Sequence, residues 1–228
     1  MRYDSDVKII LFGASGMVGQ GVLRECLLDD DVEQVLLIGR RATGQQHSKI
    51  REIVHQDIGD LRPVEAELSG FDACFFCLGV SSVGMTEADY RRVTYDMTIG
   101  VAGTLAKLNP SMTFIYVSGM GTNSSENGRS AWARVKGATE NALLRMPFRA
   151  AYMFRPGFIQ PMHGEQPKVT VTKLALRVVG PLIPLIIRFA PHYGTTTENM
   201  GRAMLFAATR GAPKKVLESA DINALASL

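Results

Sequence analysis

The chain has 228 residues, of which 46% are hydrophobic, so it is long enough to bury the core of one large domain. Its 25 basic and 22 acidic residues leave a net charge of +3, and neither sign is collected into a run. This balance argues against a partner held by bulk charge, and we expect no nucleic-acid partner.

Short apolar runs alternate with helical patterns along most of the chain. Most of these runs are continuous, which is typical of strands covered on both faces. Strands are predicted at 7–13, 34–40, 51–56, 73–79, 113–119 and 149–157. Helices are predicted near 17–28, 86–108, 129–145 and 197–209. The repeated βαβ order predicts an α/β fold, with a parallel sheet and helices on both faces.

The pattern changes after Gly157, where prolines break the chain into short pieces. We predict one domain, 1–228, in which 158–196 is a proline-rich insertion on the substrate side. The apolar run 178–187 within it contains Gly and Pro and is half the length of about 20 residues that a transmembrane helix needs, so no membrane span is expected. A broken helix on the core or in a subunit contact is favoured over an amphipathic surface element.

The cysteines are few and odd in number: Cys26, Cys74 and Cys77. With a chain that enters a strand at once rather than an apolar leader, they predict a reducing, cytosolic compartment. Cys74 and Cys77 form a CxxC pattern inside a predicted strand, where positions i and i+3 face opposite sides. We therefore expect buried, inert thiols. The four histidines show no metal-ligand spacing, and no metal is predicted.

A glycine-rich turn, "GASGMVG" at 13–19, joins the first predicted strand to the first predicted helix. Gly13 permits a tight turn, Gly16 allows backbone to approach a pyrophosphate, and Gly19 allows the helix to pack close to the strand. Phosphates bind at helix N-termini because the N–H groups there are unpaired and the dipole is positive. The spacing is GxxGxxG rather than GxGxxG, so the turn predicts a dinucleotide site, with a purely structural turn as the alternative.

Two arginines, Arg40 and Arg41, end the second predicted strand in "IGRR". A protein that binds NAD usually has Asp or Glu there, for the ribose 2′-hydroxyl. A guanidinium instead matches a 2′-phosphate in charge and geometry, so NADP is the predicted cofactor and NAD the alternative. The other interpretation is a pair of solvated arginines that open a polar loop.

Further cofactor contacts are expected after the third and fourth predicted strands, near the glycine turn. Asp57 follows the third strand, where it either meets an adenine amino group or is solvated in a loop. Gly79, in "CLGVSS", would lie along the adenosine and pyrophosphate, since small residues permit close approach. The predicted set also includes Ser15, Met17, Val18, Ile58 and Leu78.

Five features together resemble the short-chain dehydrogenase/reductase superfamily: the glycine turn, "CLG" after the fourth strand, "VSG" ending the fifth, a lysine on the next helix, and "RPG" ending the sixth. Over about residues 7–210 the chain is similar to the atypical branch that includes Tat-interacting-protein-like oxidoreductases and NAD-dependent epimerase/dehydratase-like proteins. The resemblance implies a doubly wound Rossmann sheet with a short C-terminal substrate region. It also implies that Pro156 shapes the cofactor pocket, that Arg155 is mainly structural, and that the chain forms a homodimer.

The superfamily's chemistry uses a serine on the fifth strand and a Tyr-x-x-x-Lys pair on the next helix. By position, Ser118 matches the serine and Lys136 matches the lysine, which makes these two the predicted catalytic residues. Trp132 stands where the tyrosine is expected, on the same helix face as Lys136. An indole N–H donates a hydrogen bond but exchanges no proton, and loss of a general acid commonly costs about 10²–10⁴ in rate.

Either another group replaces the missing tyrosine or the usual reaction is absent. Tyr116 and Tyr95 are more typical of core residues, Ser130 lacks an adjacent base, and His163 is more typical of a polar loop than of a catalytic site. We expect an NADP(H)-binding oxidoreductase that acts on a small carbonyl or sugar-like substrate. The alternative is a non-catalytic dinucleotide-binding protein with a regulatory or scaffold role.

Overall fold

The computed structural model describes residues 6–165 and 192–228. The apolar run at 178–187, and the two interpretations offered for it, lie outside the described residues. None of the helices within these two ranges has the length and apolar character needed to cross a bilayer.

Strands and helices alternate through much of the first described range. The strands are β1 (Val7–Phe12), β2 (Val32–Gly39), β3 (Ile50–Val54), β4 (Ala73–Phe76), β5 (Thr113–Val117), β6 (Ala150–Arg155), β7 (Phe158–Gln160), β8 (Gly194–Thr196) and β9 (Val216–Glu218). The helices are α1 (Met17–Leu28), α2 (Glu87–Arg91), α3 (Met97–Leu108), α4 (Ala131–Leu144), α5 (Thr197–Arg210) and α6 (Ser219–Leu225). A 3₁₀ turn covers Arg62–Glu67, and a π-helical turn, Arg92–Asp96, joins α2 to α3.

Seven of the described strands form one parallel sheet in the order β3-β2-β1-β4-β5-β6-β9. The chain winds outward from β1 in one direction to β3, and then from β4 in the other direction. The doubly wound Rossmann sheet is thus confirmed. In such sheets ligands bind beyond the carboxyl ends of the strands where the order reverses, which here is between β1 and β4.

Each strand contributes side chains to both faces of the sheet. Ile9 and Leu11 face a core formed with α1, α5 and α6, while Ile10 and Phe12 face a second core formed with α3 and α4. Burial on both faces explains why these strands read as continuous apolar runs.

The structure departs from the predicted elements in several places. The fourth strand ends at Phe76 rather than at 79: the Cys77 N–H still donates to the Phe12 carbonyl, and Gly79 beyond it is exposed. The predicted helix 86–108 is interrupted by the π-helical turn. The short strands β7, β8 and β9 and helix α6 have no counterpart among the predictions. Strands β7 and β8 pair in parallel, apart from the main sheet.

Candidate functional site

The glycine turn lies where β1 ends, at the reversal of strand order. Gly13 has φ +86°, and a Cβ atom there would lie 2.8 Å from the backbone carbon and oxygen of Cys77. The Gly16 N–H donates to the Gly13 carbonyl over 2.9 Å, which closes the turn. A side chain at Gly13 is therefore excluded both by the left-handed backbone and by the neighbouring strand end.

Helix α1 begins directly after this turn. Gly16 is its N-cap and has no side chain to bond the first N–H groups. Ser15, Met17 and Val18 are partly exposed around this helix end, while Gly19 is buried against the turn. The backbone and the positive end of the helix dipole thus meet the crevice at this point, which is the arrangement that binds phosphate.

The other predicted cofactor residues follow the ends of the neighbouring strands. Arg40 and Arg41 are exposed after β2, and neither forms an ion pair with an acid of the described ranges. Asp57 is exposed after β3, where its carboxylate accepts the Gly59 N–H over 3.1 Å. Gly79 is exposed after β4 with open space where a side chain would be.

Of the apolar members of the predicted set, Ile58 is a core residue and Leu78 is partly buried. Ile58 is 5% exposed and belongs to the core on the α3 side of the sheet, and Leu78 packs against that core. Pro156 is buried, and its carbonyl accepts the Met120 N–H over 2.9 Å, which joins the ends of β5 and β6.

Ser118 follows β5 and is partly buried. Its N–H donates to the Phe154 carbonyl of β6 over 2.9 Å. Its hydroxyl donates to the Glu140 carboxylate of α4, and the Phe154 carbonyl is a second acceptor at 3.2 Å. The hydroxyl hydrogen is therefore directed toward groups of the protein itself.

Lys136 lies on α4 beside the end of β5, with 6% of its surface exposed. Its Nζ donates to the Val117 carbonyl over 3.2 Å and lies 4.8 Å from the centre of the Tyr116 ring. Burial lowers the pKa of Lys136 to about 8, and the charge of Glu140 acts in the opposite direction. The structure thus brings Lys136 and Ser118 to the same strand end, next to the same glutamate.

Trp132 lies one turn before Lys136 and packs over the loop that follows β5. Its Cη2 atom is 3.5 Å from the Cβ position of Gly121. Tyr116 is fully buried, and burial raises the pKa of its phenol well above the usual range. Tyr95 lies beneath the guanidinium of Arg91, 4.0 Å from the ring centre. The Tyr116 ring does lie beside Lys136, but its buried phenol with a raised pKa is not suited to exchange a proton near neutral pH.

Glu140 and Arg155 were not predicted as site residues. Glu140 is 1% exposed, and the Arg155 Nε donates to its two carboxylate oxygens over 3.0 and 3.1 Å. Arg155 also donates to the Ser124 hydroxyl over 2.5 Å. The sequence signal was weak: Glu140 follows Lys136 by one helical turn, but nothing in the sequence pairs it with an arginine at the end of β6.

The remaining candidates lie away from this strand end. His163 contacts the Glu198 carboxylate at 3.1 Å near the start of α5. Cys26 and Cys74 are buried, and burial raises the pKa of Cys77 to about 12, so these thiols remain protonated at neutral pH. Within the described ranges, no group of three metal-ligating side chains is found.

The parallel sheet with its reversal at β1 and β4, together with the glycine turn at that reversal, defines a Rossmann-type α/β protein. A sequence profile of the "NAD dependent epimerase/dehydratase family" matches residues 9–131, just over half of the chain. The chain belongs to this family, and the expected resemblance is confirmed.

Curated relatives and solved structures are similar over most of the chain. "Protein fmp52-2, mitochondrial" of Aspergillus oryzae is 28% identical over 224 residues, which are 93% of either chain. "Protein HTATIP2" of Rattus norvegicus is 28% identical over 154 residues, 66% of this chain and 62% of that protein. The enzyme WbmF of Bordetella bronchiseptica, solved in complex with NAD⁺, superposes with a TM-score of 0.68 at 15% identity, over 96% of this chain and 77% of WbmF.

The prediction of a cytosolic compartment was wrong. It is contradicted by the fungal relatives, which carry the word "mitochondrial" in their names. The physical reason is that sparse, unpaired cysteines are not specific to the cytosol. Cys26 and Cys74 are buried, and burial raises their pKa values, so both are protected from oxidation wherever the chain is located.

Proposed function

We propose that this chain binds a nicotinamide dinucleotide, NADP(H) in preference to NAD(H), in the crevice at the carboxyl ends of β1, β2 and β4. One observation carries this proposal: at Gly13 and Gly19 any Cβ atom would collide with backbone, so the turn brings main chain and the N-terminus of α1 to the edge of the crevice. WbmF, with the same fold, was solved with NAD⁺.

The preference for NADP(H) is supported by charge. Arg40 and Arg41 are exposed at the end of β2 and have no acidic partner among the described residues. Two such guanidiniums would pair with a 2′-phosphate, whereas they offer no acceptor to a ribose 2′-hydroxyl. Asp57 and Gly79 would line the adenosine side of the crevice, where both are exposed.

For the chemistry, we propose hydride transfer with a small carbonyl or sugar-like substrate. The bound dinucleotide would supply or accept the hydride. Lys136, on α4 beside the end of β5, would bind the nicotinamide ribose. With a pKa of about 8, its ammonium would give a proton to the alkoxide oxygen that hydride transfer forms, and would take that proton back in the reverse direction. Trp132 would offer an N–H hydrogen bond but no proton, so the proposed reaction does not use the superfamily's tyrosine.

A second candidate is a non-catalytic, dinucleotide-dependent regulatory or scaffold protein. Two observations favour it. The Ser118 hydroxyl hydrogen is directed to Glu140 rather than toward the crevice, and Trp132 stands in the position of the proton donor. A site with these two features would bind the cofactor and still be poor at reduction.

The experiment that separates these candidates is calorimetric titration with NADPH, NADH and NADP⁺, followed by oxidation of bound NADPH against a panel of small aldehydes, ketones and sugars. Micromolar NADPH binding with turnover supports the oxidoreductase. Binding without turnover on any member supports the regulatory candidate. Absence of binding to all three dinucleotides would overturn the proposed function.

A further inference from the structure

A buried ion pair lies beside the two residues that we place at the nicotinamide end. The Arg155 Nε donates to both oxygens of the Glu140 carboxylate, and a second guanidinium nitrogen of Arg155 donates to Oε2. The Ser118 hydroxyl donates to Oε1. The arginine at the end of β6 and the serine that follows β5 thus hold the carboxylate in one orientation.

Arg155 is itself fixed by further contacts. Its guanidinium donates to the Ser124 hydroxyl in the loop after β5, and it lies 3.5 Å from the Glu218 carboxylate at the end of β9. The pKa of Arg155 is raised, chiefly by its hydrogen bonds to Glu140, so the guanidinium stays charged.

Glu140 lies one helical turn after Lys136, so the two side chains share a face of α4. Around the Lys136 ammonium the structure places the Val117 carbonyl, the face of the Tyr116 ring and the charge of Glu140. Tyr90 on α2 interacts with Tyr116 rather than with the lysine, and the pKa values of both phenols are raised by burial. Neither tyrosine supplies a negative charge near neutral pH.

Burial alone would drive Lys136 toward its neutral form, because desolvation disfavours an ammonium. The charge of Glu140 opposes this effect. Trp132, which stands in place of a tyrosine, exchanges no proton. The group that titrates at this end of β5 is therefore Lys136, and its charge depends on Glu140.

We propose that Glu140 is a positioning residue for Lys136: clamped by Arg155 and Ser118, its carboxylate holds a fixed negative charge one turn from the ammonium and sets the pH range in which Lys136 is charged. This inference rests on the proposed function, in which Lys136 contacts the cofactor. It adds a residue that acts through Lys136 and touches neither cofactor nor substrate.

The test compares Glu140→Gln with the matched control Glu25→Gln. Glu25 is also a buried glutamate on a helix, 5% exposed and paired with Arg24 and Arg202, but it lies at the contact of α1 with α5. In both variants, an arginine loses the buried carboxylate with which it is paired. Titration of the ligand-free proteins labelled with ¹³C-lysine gives the midpoint of Lys136, whose signal is assigned by its loss in Lys136→Arg.

We expect the Lys136 midpoint to fall by about one pH unit in Glu140→Gln and to stay unchanged in Glu25→Gln. An unchanged midpoint in Glu140→Gln, or an equal fall in both variants, would overturn the inference. If Glu140→Gln does not fold because Arg155 is left without its partner, Glu140→Gln with Arg155→Met removes both charges. A smaller fall is then expected, because a positive charge that disfavours the ammonium is lost as well, and no fall at all would overturn the inference.

A second measurement links the titration to the site. The pH dependence of the NADPH dissociation constant should shift to lower pH in Glu140→Gln by the same amount as the lysine midpoint. The two proposals can fail separately. Lack of NADPH binding by the wild-type protein overturns the proposed function, whereas the lysine titration, made without ligand, still decides the effect of Glu140 on Lys136.

Discussion

The Cβ position of Gly19 lies 2.1 Å from the carbonyl oxygen of Gly13. Helix α1 therefore rests directly on the turn that it follows, and no other residue type leaves room for this contact. Gly103, on α3, has no atom within 4 Å of its Cβ position. The two glycines are both helical, yet only the first is required by a close approach.

Gly19→Ala should destabilise the protein by about 1–3 kcal/mol, because the added methyl group forces helix and turn apart. Gly103→Ala should stabilise it by about 0.5–1 kcal/mol, because alanine loses less backbone entropy in a helix. Urea unfolding of both variants measures the two effects. The close packing of α1 would be disproved by equal free energies of unfolding for wild type and Gly19→Ala.

Replacing Arg40 and Arg41 together with Ala should weaken NADPH binding by about 10- to 100-fold, since charge-assisted hydrogen bonds to a phosphate are lost. NADH affinity should change little, because NADH has no 2′-phosphate. Arg145→Ala, at the far end of α4, is the control. Calorimetry that shows equal losses for NADPH and NADH would remove the assignment of the arginines to the 2′-phosphate.

Lys136 should make stability depend on pH. Its pKa is about 8 in the folded protein against an ordinary 10.5, so between these values the unfolded chain binds a proton that the folded protein has released. The free energy of unfolding should therefore rise from pH 8 to 10.5, by on the order of 3 kcal/mol from this group. The rise should be missing from Lys136→Met and retained in Lys107→Met, on exposed α3 surface.

Trp132→Tyr should raise carbonyl reduction by about 10²–10⁴, because it restores a phenol one turn before Lys136. Trp132→Phe keeps an aromatic ring over Gly121 without an exchangeable proton, and it should give no gain. NADPH oxidation by the three proteins is the measurement. A wild-type protein that is already as active as Trp132→Tyr would show that Trp132 does not limit the reaction.

The three cysteines should resist alkylation in the folded protein at pH 8. Desolvation by burial raises the pKa of each thiol, for Cys77 to about 12, so the reactive thiolate is scarce. Labelling with iodoacetamide followed by mass spectrometry should show modification only after unfolding. Rapid labelling of Cys77 in native protein would contradict this, since Cys77 is the least buried of the three.

Much of the sheet could be predicted because its strands are buried on both faces. A run such as Val7–Phe12 is apolar except for Lys8, and this pattern can be recognised without knowledge of the neighbouring strands. The strands that were missed have three residues each. Strand β9, Val216–Glu218, lies at the edge of the described sheet, where it pairs with β6, and its short sequence carries too little pattern to separate it from a loop.

The candidate site likewise has one part that the sequence predicts and one part that it does not. The glycine turn and Lys136 carry local motifs, and both were found from sequence. The pairing of Glu140 with Arg155 joins α4 to the end of β6, and this contact depends on how the helix lies against the sheet. A local motif does not contain that information, which is why Arg155 was assigned a merely structural role.

The small parallel pair of β7 and β8 places Gln160 next to Thr196 in register. Two stretches that are far apart in sequence are thus joined side by side, apart from the main sheet. The strand ends where we place the dinucleotide belong to the main sheet. Changes in the sequence of the small pair would therefore leave the dinucleotide framework intact, and the pair offers related or engineered proteins a separate place to acquire new specificities.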